Sequence, residues 1–243
     1  MQAPAISGDI APGTHAYAPT VRPGEDAGTA GDRSSARWAS ERGLAILARL
    51  RSSTAPAHEQ VESRLFPSAL EDLASYRRML AVLLALHEPL EQHFANEAGF
   101  VGLGIDVAER RKTVGLRDDL ARLETLLGNA APPLPPAGEP AASTSPASLP
   151  AALGAFYVLE GSTLGGRFLL PQVRDRLGDV PTSFLVGYGD RTGRLWKQTR
   201  TALMRGVSEA PHPASAEHAL LTGAGATFAR LDALLDAADW PAA

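Results

Sequence analysis

Residues 68–94 read SALEDLASYRRMLAVLLALHEPLEQHF, and this stretch indicates the fold class. Its large apolar side chains recur at intervals of three and four, which places them on one face of a long helix. Ser68 and Glu71 form a capping-box pair that predicts where this helix begins. The predicted apolar face consists of Leu70, Leu73, Tyr76, Leu80, Leu83, His87, Leu90 and Phe94. The stretch therefore predicts an amphipathic helix packed on a core.

Further helices are predicted along the rest of the chain. One covers about residues 108–127 and stops at Gly128, and another runs from about Pro150 towards Leu170, where Pro171 is expected to break or kink it. Alternating strand patterns are nearly absent, and residues 183–188 are the single candidate. The sequence thus predicts an all-α protein, a single-domain helical bundle.

Two segments rich in proline and glycine are expected to lie outside the helices. Residues 1–36 are poor in large apolar side chains, so we expect a disordered tail. Residues 129–150 contain the Pro132-Pro-Leu-Pro-Pro136 run and are expected to form an extended surface loop. The predicted helical domain covers residues 43–240.

The overall composition excludes several classes of function. The chain has no cysteine, which removes disulfides, cysteine nucleophiles and iron–sulfur clusters. Its 23 basic and 27 acidic residues give a net charge of −4, which argues against nucleic-acid binding. No apolar run approaches the length of a membrane span, and no signal-peptide pattern opens the chain. We therefore expect a soluble cytoplasmic protein.

A first unusual patch covers residues 50–62, which read LRSSTAPAHEQVE. Pro56 fits best in the first turn of a helix that continues to about Leu65. His58 and Glu62 are four residues apart and share a face of this helix. A carboxylate in that place can anchor one ring nitrogen of a metal-binding histidine. The alternative interpretation is a polar His–Glu pair on the surface.

A second patch covers residues 156–168, which read FYVLEGSTLGGRF. Glycine inside a helix costs roughly 1 kcal/mol relative to alanine, so three glycines in this run need a reason. Gly161 and Gly165 are four residues apart, and one face of the helix consequently lacks side chains. Either another helix or a flat ligand could approach the backbone there, and the sequence leaves both interpretations open.

Together, residues 51–62 and 157–166 resemble the proximal and distal helices of biliverdin-producing haem oxygenases. The similarity is strongest to the bacterial type found beside bacterial phytochromes, which residues 188–196 (YGDRTGRLW) also resemble. The resemblance covers about residues 43–240 and implies the helical bundle of that family.

The resemblance implies roles for residues of both patches. His58 falls on the proximal haem ligand and Glu62 on its acidic partner. Gly161 and Gly165 fall on the distal glycines whose backbone contacts haem, and Gly166 lies beside them.

The resemblance also implies polar contacts around the haem. Arg51 matches a basic residue that reaches a haem propionate, and Lys197 and Arg200 resemble a basic pair with the same task. Tyr157 could add a hydroxyl to this rim. For Lys197, Arg200 and Tyr157, exposed charges and a core tyrosine remain the alternative. Ser162 stands where mammalian members have an aspartate that organises water, which leaves the route of proton delivery unassigned.

The implied activity is oxidative cleavage of haem to biliverdin, carbon monoxide and ferrous iron with O2. Electrons would come from a ferredoxin or reductase, because the chain carries no flavin or nicotinamide fingerprint. A bacterial phytochrome is the implied acceptor of biliverdin. The alternatives are a haem-binding storage or sensor protein without turnover and a helical adaptor that has lost haem.

Two other chemistries of helical proteins fit less well. Thiaminase-like enzymes of related fold use a cysteine nucleophile, which this chain lacks. A di-iron site needs several inward carboxylates and histidines. The densest group, His87, Glu88, Glu91 and His93, is spread over different faces of one helix, and we expect His87 to be a core residue.

Overall fold

The computed structural model describes residues 30–66, 68–128 and 145–241, with the backbone alone for residues 30–40. Of the segments predicted to be tail and loop, residues 1–29 and 129–144 lie outside the described residues. The first helix begins at Ala30, inside the predicted tail, and the fifth begins at Leu149, inside the predicted loop.

Eight α-helices, joined by turns and short 3-10 segments, make up most of the described residues. None of those residues forms a strand, which confirms the all-α class. The helices are α1 (Ala30–Leu65), α2 (Leu73–Asn96), α3 (Gly99–Gly102), α4 (Thr113–Leu127), α5 (Leu149–Leu177), α6 (Ser183–Val186), α7 (Thr192–Ser208) and α8 (Pro213–Ala237).

The start of α2 differs from the prediction. Ser68 lies in a separate 3-10 turn (Ser68–Leu70), and the helix begins at Leu73. The carboxylate of Asp72 accepts a hydrogen bond from the backbone N–H of Ser75 at 2.7 Å. Asp72 is therefore the N-cap, because it satisfies a donor of the first turn that the helix itself cannot satisfy.

Two prolines lie inside helices that were predicted to begin or end beside them. Pro56 lies far inside α1, and Pro171 lies inside α5, which continues to Leu177. A proline in a helix interior removes one backbone hydrogen bond, at a cost of about 3 kcal/mol. In α5 the side chains of Leu169 and Val173, on either side of the proline, are buried, and their packing offsets this cost.

The candidate strand at residues 183–188 is wrong, because this stretch contains the short helix α6. The carboxylate of Asp119, on α4, accepts hydrogen bonds from the backbone N–H groups of Ser183 and Phe184, each at 2.8 Å. A residue distant in sequence thus satisfies the first donors of α6. Asp119 itself is fully buried.

The core lies where α5 crosses α8, the most extensive helix pair of the fold. Gly154 on α5 faces the backbone of Leu220, and Gly223 on α8 faces the backbone of Ala151. Glycine at both positions lets the two backbones come into contact. Helices α1 and α7 pack on this pair, and α2 packs against α4 on another side.

A partly buried ionic contact links the end of α1 to the end of α8. Arg64 donates to the carboxylates of Asp232 and Asp236, with a distance of 2.8 Å to Asp236. The indole N–H of Trp240 donates to the backbone carbonyl of Arg64 at 2.6 Å. These contacts hold the part of α1 that carries residues 58–65 against α8.

Candidate functional site

The histidine predicted as an iron ligand lies on α1 and is accessible. Its side chain is 64% exposed, and its Nδ1 atom lies 3.4 Å from a carboxylate oxygen of Glu62. The ring also stands edge-on to Phe228 of α8, with 6.0 Å between the ring centroids. His58 thus has one ring nitrogen at a carboxylate, which leaves Nε2 as the nitrogen that could bind a metal.

The glycines of α5 differ in what surrounds them. A Cβ atom added at Gly161 or Gly165 would meet nothing within 4 Å. A Cβ atom added at Gly154 would lie 2.1 Å from the Leu220 carbonyl oxygen, and one at Gly166 would lie 3.0 Å from the Leu185 carbonyl oxygen. Packing between helices therefore explains Gly154 and Gly166, whereas it does not explain Gly161 and Gly165.

This contrast bears on the two interpretations that the sequence left open for the glycine face. No helix of the described residues approaches Gly161 and Gly165, so the bare strip faces open space. Gly166, which was predicted to lie beside the haem contacts, is buried against Leu185. Its missing side chain serves the packing of α6 on α5.

Two of the basic residues predicted to surround a ligand, Arg51 and Arg200, act on Tyr157. Burial raises the pKa of Tyr157, while the charge of Arg51, a side-chain hydrogen bond with Thr54 and the charge of Arg200 oppose that rise. The Tyr157 ring also packs against that of Trp196, with 5.6 Å between the centroids. Side chains of α1, α5 and α7 therefore meet at Tyr157.

This meeting point brings the two patches of the sequence close to each other. His58 lies one helical turn after Thr54 on α1, and Gly161 lies one turn after Tyr157 on α5. One turn advances a helix by 5.4 Å. Both α1 and α5 also pack against α7 and α8. The exposed histidine and the open glycine strip thus lie beside one shared contact.

The sequence left the surroundings of Lys197 and Ser162 open, and the structure describes them. Lys197 is exposed on α7, next to Trp196. Ser162 is half-buried, and its hydroxyl donates to the backbone carbonyl of Leu159 at 2.7 Å. The Ser162 proton is therefore directed at its own helix.

The sequence interpretation missed a buried group of charges behind the glycine strip. Glu160 precedes Gly161, and its side chain is only 2% exposed. Its carboxylate accepts hydrogen bonds from Arg110 at 2.6 Å, Lys112 at 2.7 Å and Tyr188 at 2.6 Å. A carboxylate inside the apolar run 152–160 was the available signal, because a buried charge requires partners.

His87 is a buried core residue, as predicted. It is fully buried, and its Nδ1 atom lies 3.4 Å from a carboxylate oxygen of Glu91. Burial lowers the pKa of His87, although Glu91 partly opposes this effect. Within the described ranges, no three histidine or carboxylate side chains are grouped so that they could hold a metal ion.

The described residues can be tested against the needs of haem. A porphyrin supplies four nitrogen ligands itself, so one accessible histidine is sufficient for the protein's share. His58 offers that nitrogen, the bare strip at Gly161 and Gly165 offers a flat wall, and Arg51 and Arg200 offer charges for carboxylates. These residues fit haem, and they do not fit a metal ion held by side chains alone.

Comparison with known families agrees with this fit. A family model described as heme oxygenase matches residues 44–236, which is most of the chain. The protein belongs to the haem oxygenase family. A search of curated proteins found no match. Membership of the family supports haem binding and a haem-degrading activity that uses O2 and a source of electrons.

None of the helices in the described ranges combines the length and apolar character needed to cross a bilayer.

Proposed function

We propose that this protein cleaves haem oxidatively to biliverdin, carbon monoxide and ferrous iron, with His58 as the proximal ligand. One observation carries the proposal. On α5, Gly161 and Gly165 face open space, whereas Gly154 and Gly166 of the same helix face neighbouring backbone. Packing among the described residues does not explain the missing side chains at Gly161 and Gly165, and a flat ligand would explain them.

The residues of α1 provide the binding half of the site. When bound, haem supplies both the redox-active iron that activates O2 and the ring that is oxidised. Nε2 of His58 would hold the iron. Glu62 accepts a hydrogen bond from Nδ1–H, which fixes the tautomer and the ring orientation. His58 needs no large movement for this task because its side chain is already exposed.

The residues of α5 and α7 provide the orienting half of the site. The backbone at Gly161 and Gly165 would let the ring approach closely, without side chains that would compete for the space. Arg51 and Arg200, whose charges both act on Tyr157, would hold the haem carboxylates through charge-assisted hydrogen bonds. Lys197 adds a further positive charge at the exposed edge. Ser162 can accept a hydrogen bond on the open side but not donate one, because its hydroxyl already donates to the backbone carbonyl of Leu159.

We further propose that the protein is of the bacterial, phytochrome-associated type. Residues 157–166 and 188–196 support this assignment through their similarity to that type. Electrons then come from a ferredoxin or a reductase, and the biliverdin passes to a bacterial phytochrome.

The decisive experiment is haem titration of wild type and His58→Ala, followed by reduction in air. We expect wild type to bind haem with a sharp Soret band and to form biliverdin after reduction. His58→Ala should bind haem at least tenfold more weakly, yet fold as well as wild type because the side chain is exposed. His218→Ala, which removes another exposed histidine, is the matched control and should behave as wild type.

Each outcome of this experiment tests a different part of the proposal. Wild type that does not bind haem would contradict it entirely. Stable haem without biliverdin would instead support the storage or sensor protein. If His58→Ala binds as tightly as wild type, the assignment of His58 is wrong.

A further inference from the structure

Glu160 lies at the centre of a buried polar cluster directly behind the glycine strip. We call it the Glu160 cluster, and it consists of Glu160, Arg110, Lys112, Tyr188 and Thr199. Glu160, Arg110 and Lys112 have side chains that are at most 4% exposed. Two cations and a hydroxyl donate to the two carboxylate oxygens at 2.6–2.7 Å, and Thr199 lies 3.4 Å from one of them. The carboxylate is therefore held from several directions at once.

The charges of this cluster are balanced. Burial by itself would raise the pKa of Glu160, but Lys112, Tyr188 and Arg110 outweigh burial and hold that pKa below its ordinary value. A second carboxylate, Glu91, accepts a hydrogen bond from the backbone N–H of Lys112 at 2.8 Å. With Glu91 included, two acids lie beside two bases, so the formal charges balance.

A buried ionic cluster is a poor way to gain stability. The desolvation of the charges offsets most of their attraction, and apolar side chains of similar volume often stabilise a core equally well. Some buried polar groups instead specify one arrangement of the elements around them, because unpaired charges exclude the alternatives. The helices that the Glu160 cluster connects therefore indicate its structural role.

The cluster joins the distal helix to the helix of the basic residues. Glu160 is the residue before Gly161 on α5. Arg110, which donates to Glu160, also donates to the backbone carbonyl of Leu195 at 3.2 Å and to the side chain of Gln198 at 3.0 Å. Both of these residues are on α7, the helix that carries Trp196 and Arg200.

Both helices joined by the cluster also meet at Tyr157. Trp196 of α7 packs against the Tyr157 ring, and the charge of Arg200 acts on the Tyr157 hydroxyl. Through Arg110, the Glu160 carboxylate thus links α5, which carries the glycine strip, to α7, which carries Arg200.

We propose that Glu160 is a positioning residue that sets the in-plane orientation of haem, and so determines which meso carbon is opened. The inference rests on the proposed function. Glu160 acts through the glycine strip on one side and through Arg200 on the other. Loss of its charge frees α5 and α7 to rotate relative to each other, so haem can take more than one orientation.

The test compares Glu160→Gln with wild type in two measurements. The first is the NMR spectrum of the ferric cyanide complex, in which the shifted haem methyl signals report the in-plane orientation without turnover. The second is the distribution of biliverdin isomers after reduction in air. We expect one dominant orientation and isomer for wild type. Glu160→Gln should raise the minor orientation and its isomer at least threefold, with haem affinity changed less than threefold.

Arg77→Gln is the matched control for loss of a buried charge. Arg77 is on α2, 5% exposed, and paired with Glu124 of α4, so it belongs to helices that carry none of the proposed haem contacts. Arg77→Gln should lower the melting temperature while the methyl signals and isomer distribution stay as in wild type. Tyr188→Phe is a milder variant that removes one hydrogen bond to Glu160. It should shift the haem orientation in the same direction, and it replaces Glu160→Gln in the test if that variant does not fold.

The outcomes separate this inference from the proposed function. Wild type that binds no haem contradicts both. This inference alone is contradicted if wild type binds haem in one orientation and a folded Glu160→Gln or Tyr188→Phe variant binds it in the same orientation. An equal shift in Arg77→Gln also contradicts it, because general loosening of the core would then be the cause.

Discussion

The two faces of α5 use the same residue for opposite purposes. On the packed face, Gly154 and Gly166 admit the backbones of α8 and α6. On the open face, Gly161 and Gly165 border empty space. Each glycine lowers the stability of the helix, and close packing compensates for this loss only on the packed face. The open face is thus a place where stability of the ligand-free protein is given up, which is typical of functional sites.

The largest expected effect is that of Gly154→Ala on the packed face. The added Cβ would lie 2.1 Å from the Leu220 carbonyl oxygen, so α5 and α8 must separate. We expect a loss of about 3 kcal/mol or more in the free energy of unfolding, measured by urea denaturation. Gly225→Ala is the control, because its Cβ on α8 would meet nothing. Equal stability of the two variants would contradict the comparison of the faces.

A smaller loss is expected for Gly166→Ala. Its Cβ would lie 3.0 Å from the Leu185 carbonyl oxygen, and α6 is a short helix that can move by a few tenths of an ångström. We expect a net loss of about 1 kcal/mol in the same denaturation experiment, since the gain in helix propensity offsets part of the strain. A gain in stability would show that Gly166 belongs with the open face.

The smallest change in stability, with the opposite sign, is expected for Gly161→Ala and Gly165→Ala. Without haem, each should stabilise the protein by about 0.5–1 kcal/mol, because alanine favours the helix and meets no neighbour. With haem, each should bind more weakly or turn over more slowly.

Thr125→Ala on α4 is the control for this last pair, because it also raises helix propensity but lies on a helix without proposed haem contacts. It should leave haem titration unchanged. If Gly161→Ala gains stability and keeps full activity, the open face is not a haem contact.

Features that depend on residues close in sequence could be predicted. They are the helical class, the buried face of α2 and the pairing of His58 with Glu62. The boundaries could not be predicted where distant residues decide them. Asp119 supplies the first hydrogen bonds of α6 from another helix, and packing carries α5 past Pro171.

The same reasoning applies to the site. The spacing of Gly161 and Gly165 indicated a bare strip, yet only the surroundings distinguish them from Gly166. The Glu160 cluster combines residues from the turn at 108–112, from α5, from Tyr188 and from α7, and no local pattern connects these segments.

The bare strip on α5 has a consequence for the end of the catalytic cycle. A wall without side chains recognises shape, since its contacts are dispersion contacts that require a flat partner at close range. Under the proposed function the substrate is flat, whereas the opened tetrapyrrole can twist. The glycine strip that contacts the flat substrate therefore makes fewer contacts with the twisted product. The reaction thus weakens binding of the product, which favours its release.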